Sequence, residues 1–300
     1  MLLAGLGELL TERAGVLNLG VEGMMLMGAV AAFWMSQSLG GPAWLVLVVA
    51  ALAGALVGAL MALIHAFVSV TLRANQIVSG LALTIFAGAI GLSSYLAEIG
   101  GLGGKSGHHQ FRNLDVLGLK DVPVIGPVLL NQDALVYASW VLVVLVALYL
   151  TRTRPGLYLR AVGESPRAAD SMGINVSAYR YAHTVVGGLF AGLGGAYYTL
   201  AVAPNWTDGL TAGAGWIAIA LVIFAFWRPG LLVAGAYLFG AVSSLGFDLQ
   251  ARGVRLPSEL FASLPYLMTI VALVLVSTGS SRQRLGAPAA LGVAYVREEG

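Results

Sequence analysis

The sequence predicts an all-α integral membrane protein, a polytopic bundle of about eight transmembrane helices carrying a short helix on its cytoplasmic face. Three observations carry this. Of 300 residues, 58% are hydrophobic and only 10% charged, with a mean hydropathy of +0.86; a soluble globule carries roughly a quarter charged residues. The apolar residues fall in long unbroken runs rather than in alternating segments of about ten, which excludes a membrane β-barrel. Forty glycines suit helices that pack backbone to backbone in a bilayer.

The apolar runs are 16–39, 44–72, 77–97, 134–150, 181–203, 216–227, 231–247 and 261–278. About 20 residues cross the hydrocarbon core, so each run but one is close to crossing length. The run at 216–227 is short, and either extends back through 212–215 or crosses partially beside irregular backbone. With both termini cytoplasmic, the inside collects Arg13, Arg73, Arg152, Arg154, Arg160, Arg167, Arg180, Arg228, Arg282, Arg284 and Arg297. The outside receives Lys105, Arg112, Lys120, Arg252 and Arg255, and this bias obeys the positive-inside rule. The first ten residues are too short and too acidic for a signal peptide. Residues 1–300 read as one transmembrane domain with an external loop at about 98–133 and a basic cytoplasmic loop at about 151–180. Gly54 with Gly58, and Gly188 with Gly192, are small-xxx-small pairs that predict close helix packing inside the bundle.

Enzyme chemistry finds little footing. The chain has no cysteine, and His65, His108, His109 and His183 are scattered or merely adjacent, so no metal or cofactor site is predicted. The stretch I-G-G-L-G-G-K-S at 99–106 nearly fits the phosphate-cradling G-x-x-x-x-G-K-[ST] motif, but Ile99 stands where the first glycine is required. It also follows a membrane segment instead of a buried strand. A net charge of +2 implies no nucleic-acid partner.

Polar residues at membrane positions are more informative. Glu8, Glu12, Arg13, Asn18 and Glu22 crowd the mouth of the first run, and a carboxylate there is costly unless it faces protein or water. Asn18 and Glu22 are four apart, which on a helix puts them on one face. They read either as a polar wall of a substrate path or as structural glue, with Glu22 capped by backbone donors or by an arginine in the folded bundle. Asn75 and Gln76 open the third run and offer paired donors and acceptors suited to a base or sugar. In the internal loop, Ser165 is a candidate N-cap, Pro166 a first helical residue and Gly173 a stop. They predict a helix of about two turns between them, flanked by Arg160 and Arg167 alongside Glu164 and Asp170, and a short, capped, mixed-charge helix on the cytoplasmic face reads as a docking element.

E-R-A-G-V-L-N-L-G-V-E-G-M-M and R-A-V-G-E-S-P-R-A-A-D-S-M-G-I-N-V together resemble the permease subunits of bacterial ABC importers, in the branch of branched-chain amino acid and ribose permeases. Within it the first run is most similar to nucleoside permeases that pair with a basic-membrane-protein type lipoprotein. R-A-N-Q-I-V-S-G-L-A-L, P-N-W-T-D-G-L-T-A-G-A-G-W-I-A-I-A, W-R-P-G and L-P-S-E-L extend the resemblance over nearly the whole chain. It implies ATP-driven nucleoside import across the inner membrane, without an ATPase site of its own and without a cofactor. Import of sugars or branched-chain amino acids is the alternative within the family, and ion-coupled secondary transport one outside it. The implied partners are a cytoplasmic ABC ATPase, a second permease subunit, an extracytoplasmic binding lipoprotein and membrane lipid.

On these residues the resemblance implies a coupling helix at 166–172 that seats in the ATPase, with Arg160, Gly163, Glu164, Ser165, Pro166, Arg167, Asp170 and Gly173 around it. It implies that Asn18, Glu22, Asn75 and Gln76 line the translocation path and that Asn205, Trp206 and Asp208 sit near its external mouth. Family members usually carry another hydrophobic helix ahead of the segment that opens this chain, so the expectation is an upstream start or a lost crossing. The sequence also departs from the family at Ala214, Ala225 and Phe226.

Overall fold

The computed structural model describes residues 1–88, 90–115, 122, 126–251, 253, 257, 260, 263–264, 266–271, 274 and 286–296. It is a helical bundle organised around one central helix. Among the described residues four stretches are long and apolar enough to cross a membrane: Ala43–Thr71, Gln76–Ile99, Ala134–Arg152 and Val176–Val202. Shorter apolar helices accompany them at Ala214–Phe224 and Pro229–Leu245. The protein is a multi-pass helical membrane protein.

The chain opens on α1 (Leu2–Arg13), whose residues from Leu3 to Glu12 are all buried. This helix corrects the expectation that the first run begins at residue 16: residues 14–20 form a turn, and the following helix, α2 (Val21–Ser38), starts only at Val21. Gly15 makes the reversal with φ +83, a conformation in which an L side chain is strained.

α3 (Ala43–Ala66) continues as a π-helical turn, Phe67–Thr71. Asn75 caps α4 (Gln76–Ala87), accepting from the Ile77 and Val78 N–H groups. The single crossing expected at 77–97 is divided, α4 giving way near Gly88 and Gly91 before α5 (Leu92–Ile99). The long connector after α5 pairs with itself through two-residue antiparallel strands, β1 (Leu114–Asp115) and β2 (Asn131–Gln132), and meets the bundle where the Phe111 N–H donates to the Leu200 carbonyl (2.8 Å). In its 99–106 stretch, Ile99 ends α5 and exposed turns follow, so no helix opens where a phosphate-binding motif would need one. Asp133 caps α6 (Ala134–Arg152).

The basic loop after α6 holds two helices where one is predicted, α7 (Arg154–Glu164) and α8 (Pro166–Ser171). α9 (Val176–Tyr197) follows and extends as a π-helical turn to Val202. α10 (Ala214–Phe224) is only 11 residues long and α11 (Pro229–Ala251) 23. Half of the run expected at 261–278, Lys120, Arg252, Arg255, Arg282, Arg284 and Arg297, and all of L-P-S-E-L but Pro257 and Leu260, lie outside the described residues.

α9 is the axis, packed against α1, α2 and α3. The two predicted glycine pairs meet each other: a Cβ on Gly188 would stand 2.5 Å from the Gly58 carbonyl oxygen, and one on Gly192 would stand 2.9 Å from Gly58 Cα. Lipid is as apolar as leucine, so helices associate in a bilayer through such close backbone contact rather than through hydrophobic burial.

Candidate functional site

Glu22 is where buried polarity concentrates. The backbone from 203 to 213 is irregular and runs beside α2, and α10 starts abruptly at Ala214 behind Gly213 at φ +81. The Glu22 carboxylate sits over that start. Its Oε1 accepts from Thr211 Oγ1 (2.6 Å) and the Gly213 N–H (2.9 Å), and its Oε2 from the Gly215 N–H (2.6 Å). A helix N-terminus leaves amide donors unpaired and carries partial positive charge, so it supplies both needs of a buried carboxylate. The fit demands glycine at 215, where a Cβ would lie 2.6 Å from Glu22 Cα. Tyr266 donates its hydroxyl to the Ala212 carbonyl (2.8 Å), and Tyr198 and Tyr266 both stand within electrostatic reach of the carboxylate. Glu22 is therefore held by backbone donors, the structural half of the sequence reading.

The other predicted path residues do not converge on this cluster. Asn18 lies in the turn before α2, so it shares no helix face with Glu22; Oδ1 accepts from the Gly20 N–H (3.0 Å) and Nδ2 donates to Met24 Sδ (3.5 Å). Asn75 is exposed and spent on its cap. Gln76 is 3% exposed; its Oε1 accepts from the Leu17 N–H (2.7 Å), while Nε2 has no hydrogen-bond partner among the described residues. Trp206 is 4% exposed and packs with Ala29, Val30, Phe33, Ala97 and Leu102, its indole N–H donating to Asp208 Oδ1 (3.3 Å). Ser94 donates to the same oxygen (2.8 Å), and Asn205 bridges to Ser106 in the connector.

At the arginine-rich end, Pro166 opens α8 and Gly173, at φ +80, closes it, its N–H donating to the Asp170 carbonyl (2.8 Å). Ser165 occupies the N-cap position but makes no side-chain cap bond, a correction to its predicted role. Arg160 and Gly163 end α7 with Glu164, and Arg167 and Asp170 lie on α8. Arg160, Arg228 and Glu164 are all within electrostatic reach of Arg13 at the end of α1.

Residues 1–273 match the family described as the branched-chain amino acid transport system permease component. The chain belongs to this permease family. The permease is 35% identical to the nucleoside ABC transporter permease protein NupC of Lactococcus lactis, over 100% of this chain and 94% of that one. It is 36% identical to the guanosine ABC transporter permease protein NupQ of Bacillus subtilis, over 99% and 93%. It is 37% identical, over 99% and 94%, to TsgC13 of Haloferax volcanii, provisionally named a glucose ABC transporter permease protein. No solved structure matches it.

Several residues of the permease reach prominence only in three dimensions. Glu8 and Glu12, placed by sequence at the mouth of a crossing, are each 1% exposed inside the bundle. Glu8 Oε1 accepts from the Asn18 N–H (3.2 Å) and Glu12 Oε2 from the Trp227 indole N–H (2.5 Å). Their spacing of four was visible; a helix at 2–13 was the missing premise. Thr211, Tyr198 and Tyr266 carry no local signal, since Glu22 gathers them from distant segments.

Proposed function

We propose that this permease is the membrane-spanning subunit of an ATP-binding cassette importer that carries nucleosides, with ATP hydrolysed by a separate partner subunit. The observation that carries this reading is identity of 35–36% over essentially the full length to permeases named for nucleoside and guanosine transport. A glucose-type substrate is the second reading, favoured by the Haloferax relative. The whole chain would act as one permease domain in the inner membrane, both termini cytoplasmic, alongside a second permease chain, an ABC ATPase and an extracytoplasmic binding lipoprotein.

In this reading α8, with Arg160, Gly163, Glu164, Ser165, Pro166, Arg167, Asp170 and Gly173, is the coupling element that seats in the ATPase. Asn18, Glu22, Asn75 and Gln76 flank the path, and Asn205, Trp206 and Asp208 its external mouth. Gln76 has the strongest support for substrate contact, because a buried amide with an unspent N–H pair can read a base or sugar without a charge penalty. The half-length α10 over Glu22 supports a path near the membrane midplane, since discontinuous helices mark substrate sites in many transporters. Glu22 then keeps α10 in place while the helices around it rock between inward-open and outward-open states.

The test is uptake in proteoliposomes holding this chain, its second permease, the ATPase and the binding protein. Labelled purine and pyrimidine nucleosides are expected to accumulate only with ATP, and unlabelled glucose is expected not to compete. Equal uptake without ATP would sink the importer reading, and competition by glucose would move the substrate to the second one.

A further inference from the structure

A segment with no assigned role, residues 286–296, lies across the arginine-rich end and contacts α7, α8, α9 and the turn after α1. Its Ala290 N–H donates to the Gly163 carbonyl (2.9 Å) and its Ala289 N–H to Glu164 Oε2 (3.3 Å), so it grips the α7–α8 junction. Gly292 N–H donates to the Gly15 carbonyl (3.2 Å) beyond α1, and Arg180 Nη1, from α9, donates to the Val293 carbonyl (2.9 Å). Tyr295 packs on a cluster of Val162, Ala169 and Val176, one residue each from α7, α8 and α9.

The fit is close on both sides of the junction. A Cβ on Gly163 would collide with the Arg13 carbonyl oxygen and stand 3.1 Å from Pro288 Cβ, so α7 ends wedged between α1 and this segment. A Cβ on Gly15 would stand 3.2 Å from the Ala290 carbonyl oxygen and 3.1 Å from Arg180 Nη2. Arg180 is 1% exposed, and its Nε and Nη2 have no hydrogen-bond partner among the described residues. A buried cation is costly, so spending one on a carbonyl of this segment argues that the contact itself matters.

We infer that residues 286–296 form a transmission strap that fixes the α7–α8 coupling region to α1 and α9, with Arg180 as its positioning residue, so that a displacement of α8 by the ATPase reaches the bundle. The inference rests on the docking reading of α8. Mechanical coupling between distant sites travels through contiguous packed elements, and α8, six residues long, has little grip of its own. The strap extends that grip to α1 and to α9, the axis on which α1, α2 and α3 pack.

The complete transporter in proteoliposomes tests this with three variants: removal of residues 286–300, Arg180→Met and Tyr295→Ala. The ATPase is expected to co-purify with each as with the native chain, and ATP hydrolysis to persist. Nucleoside taken up per ATP hydrolysed is expected to fall about fivefold or more, the lower range of allosteric couplings. If the truncated chain does not accumulate, Tyr295→Ala decides, because it removes a partly exposed ring and leaves the strap backbone. An unchanged ratio would overturn the proposal. So would hydrolysis and uptake falling in parallel, the mark of a merely structural role, or loss of ATPase co-purification, which would make the strap part of the docking surface. The docking reading fails separately, by co-purification indifferent to charge reversal at Arg160 and Arg167.

Discussion

At the scale of single residues, Glu22 shows how a carboxylate becomes tolerable in a membrane bundle. It is 7% exposed and takes three donors, two of them backbone amides at the start of α10. Glu22→Ala strands those donors, and an unsatisfied buried donor costs about 1–3 kcal/mol, so a loss of about 3 kcal/mol or more is expected. Glu22→Gln should lose only about 1 kcal/mol, because the amide keeps an acceptor for Thr211 and Gly213 while opposing the Gly215 N–H with one of its own. Thermal unfolding of the detergent-purified chain checks both, and equal loss in the two variants would contradict the capping account. The need for a partner was legible from the residue type and its position. The partner itself was not, since it lies 189 residues away in sequence.

Elements were legible to different degrees for definite reasons. The stop of α8 at Gly173 and its start at Pro166 depend on local backbone preferences, which a sequence displays directly. The preceding helix, α7, was read as flank because its charges obscure any apolar period, yet Thr153 caps it through the Gly156 N–H (3.1 Å) and Pro155 suits its first turn. α1 was missed because it is too short to cross a bilayer; it is a helix only in the company of α9 and α10. The break between α4 and α5 was hidden by unbroken hydropathy. Reversing the charge of both Arg160 and Arg167 is expected to weaken recovery of the ATPase on purification at least about tenfold, a charge-assisted hydrogen bond across the interface being worth roughly 1.5–3 kcal/mol. The bundle should stay folded, as judged by its thermal midpoint; undiminished recovery would remove α8 from the docking surface.

Over the whole molecule, charge and hydropathy predict orientation, and the absence of cysteine makes orientation easy to measure. In intact cells a membrane-impermeant maleimide should label Ser106→Cys in the external connector and spare Met172→Cys, although Met172 is 81% exposed. The reverse pattern would invert the topology. Class, helical content and the short helix α8 follow from composition and short-range pattern, because hydrophobic length and cap chemistry are local properties. The glycine pairs foretold close packing, and α3 and α9 supply it to each other. What only the tertiary structure decided is which segments meet: α10 over Glu22, the burial of Glu8 and Glu12, and the strap of 286–296 against Gly15, Gly163 and Arg180. The strap and the cap on Glu22 join distant residues largely through backbone groups that every residue carries alike, and Glu12 meets the Trp227 indole across 215 residues, so no local side-chain pattern could announce them.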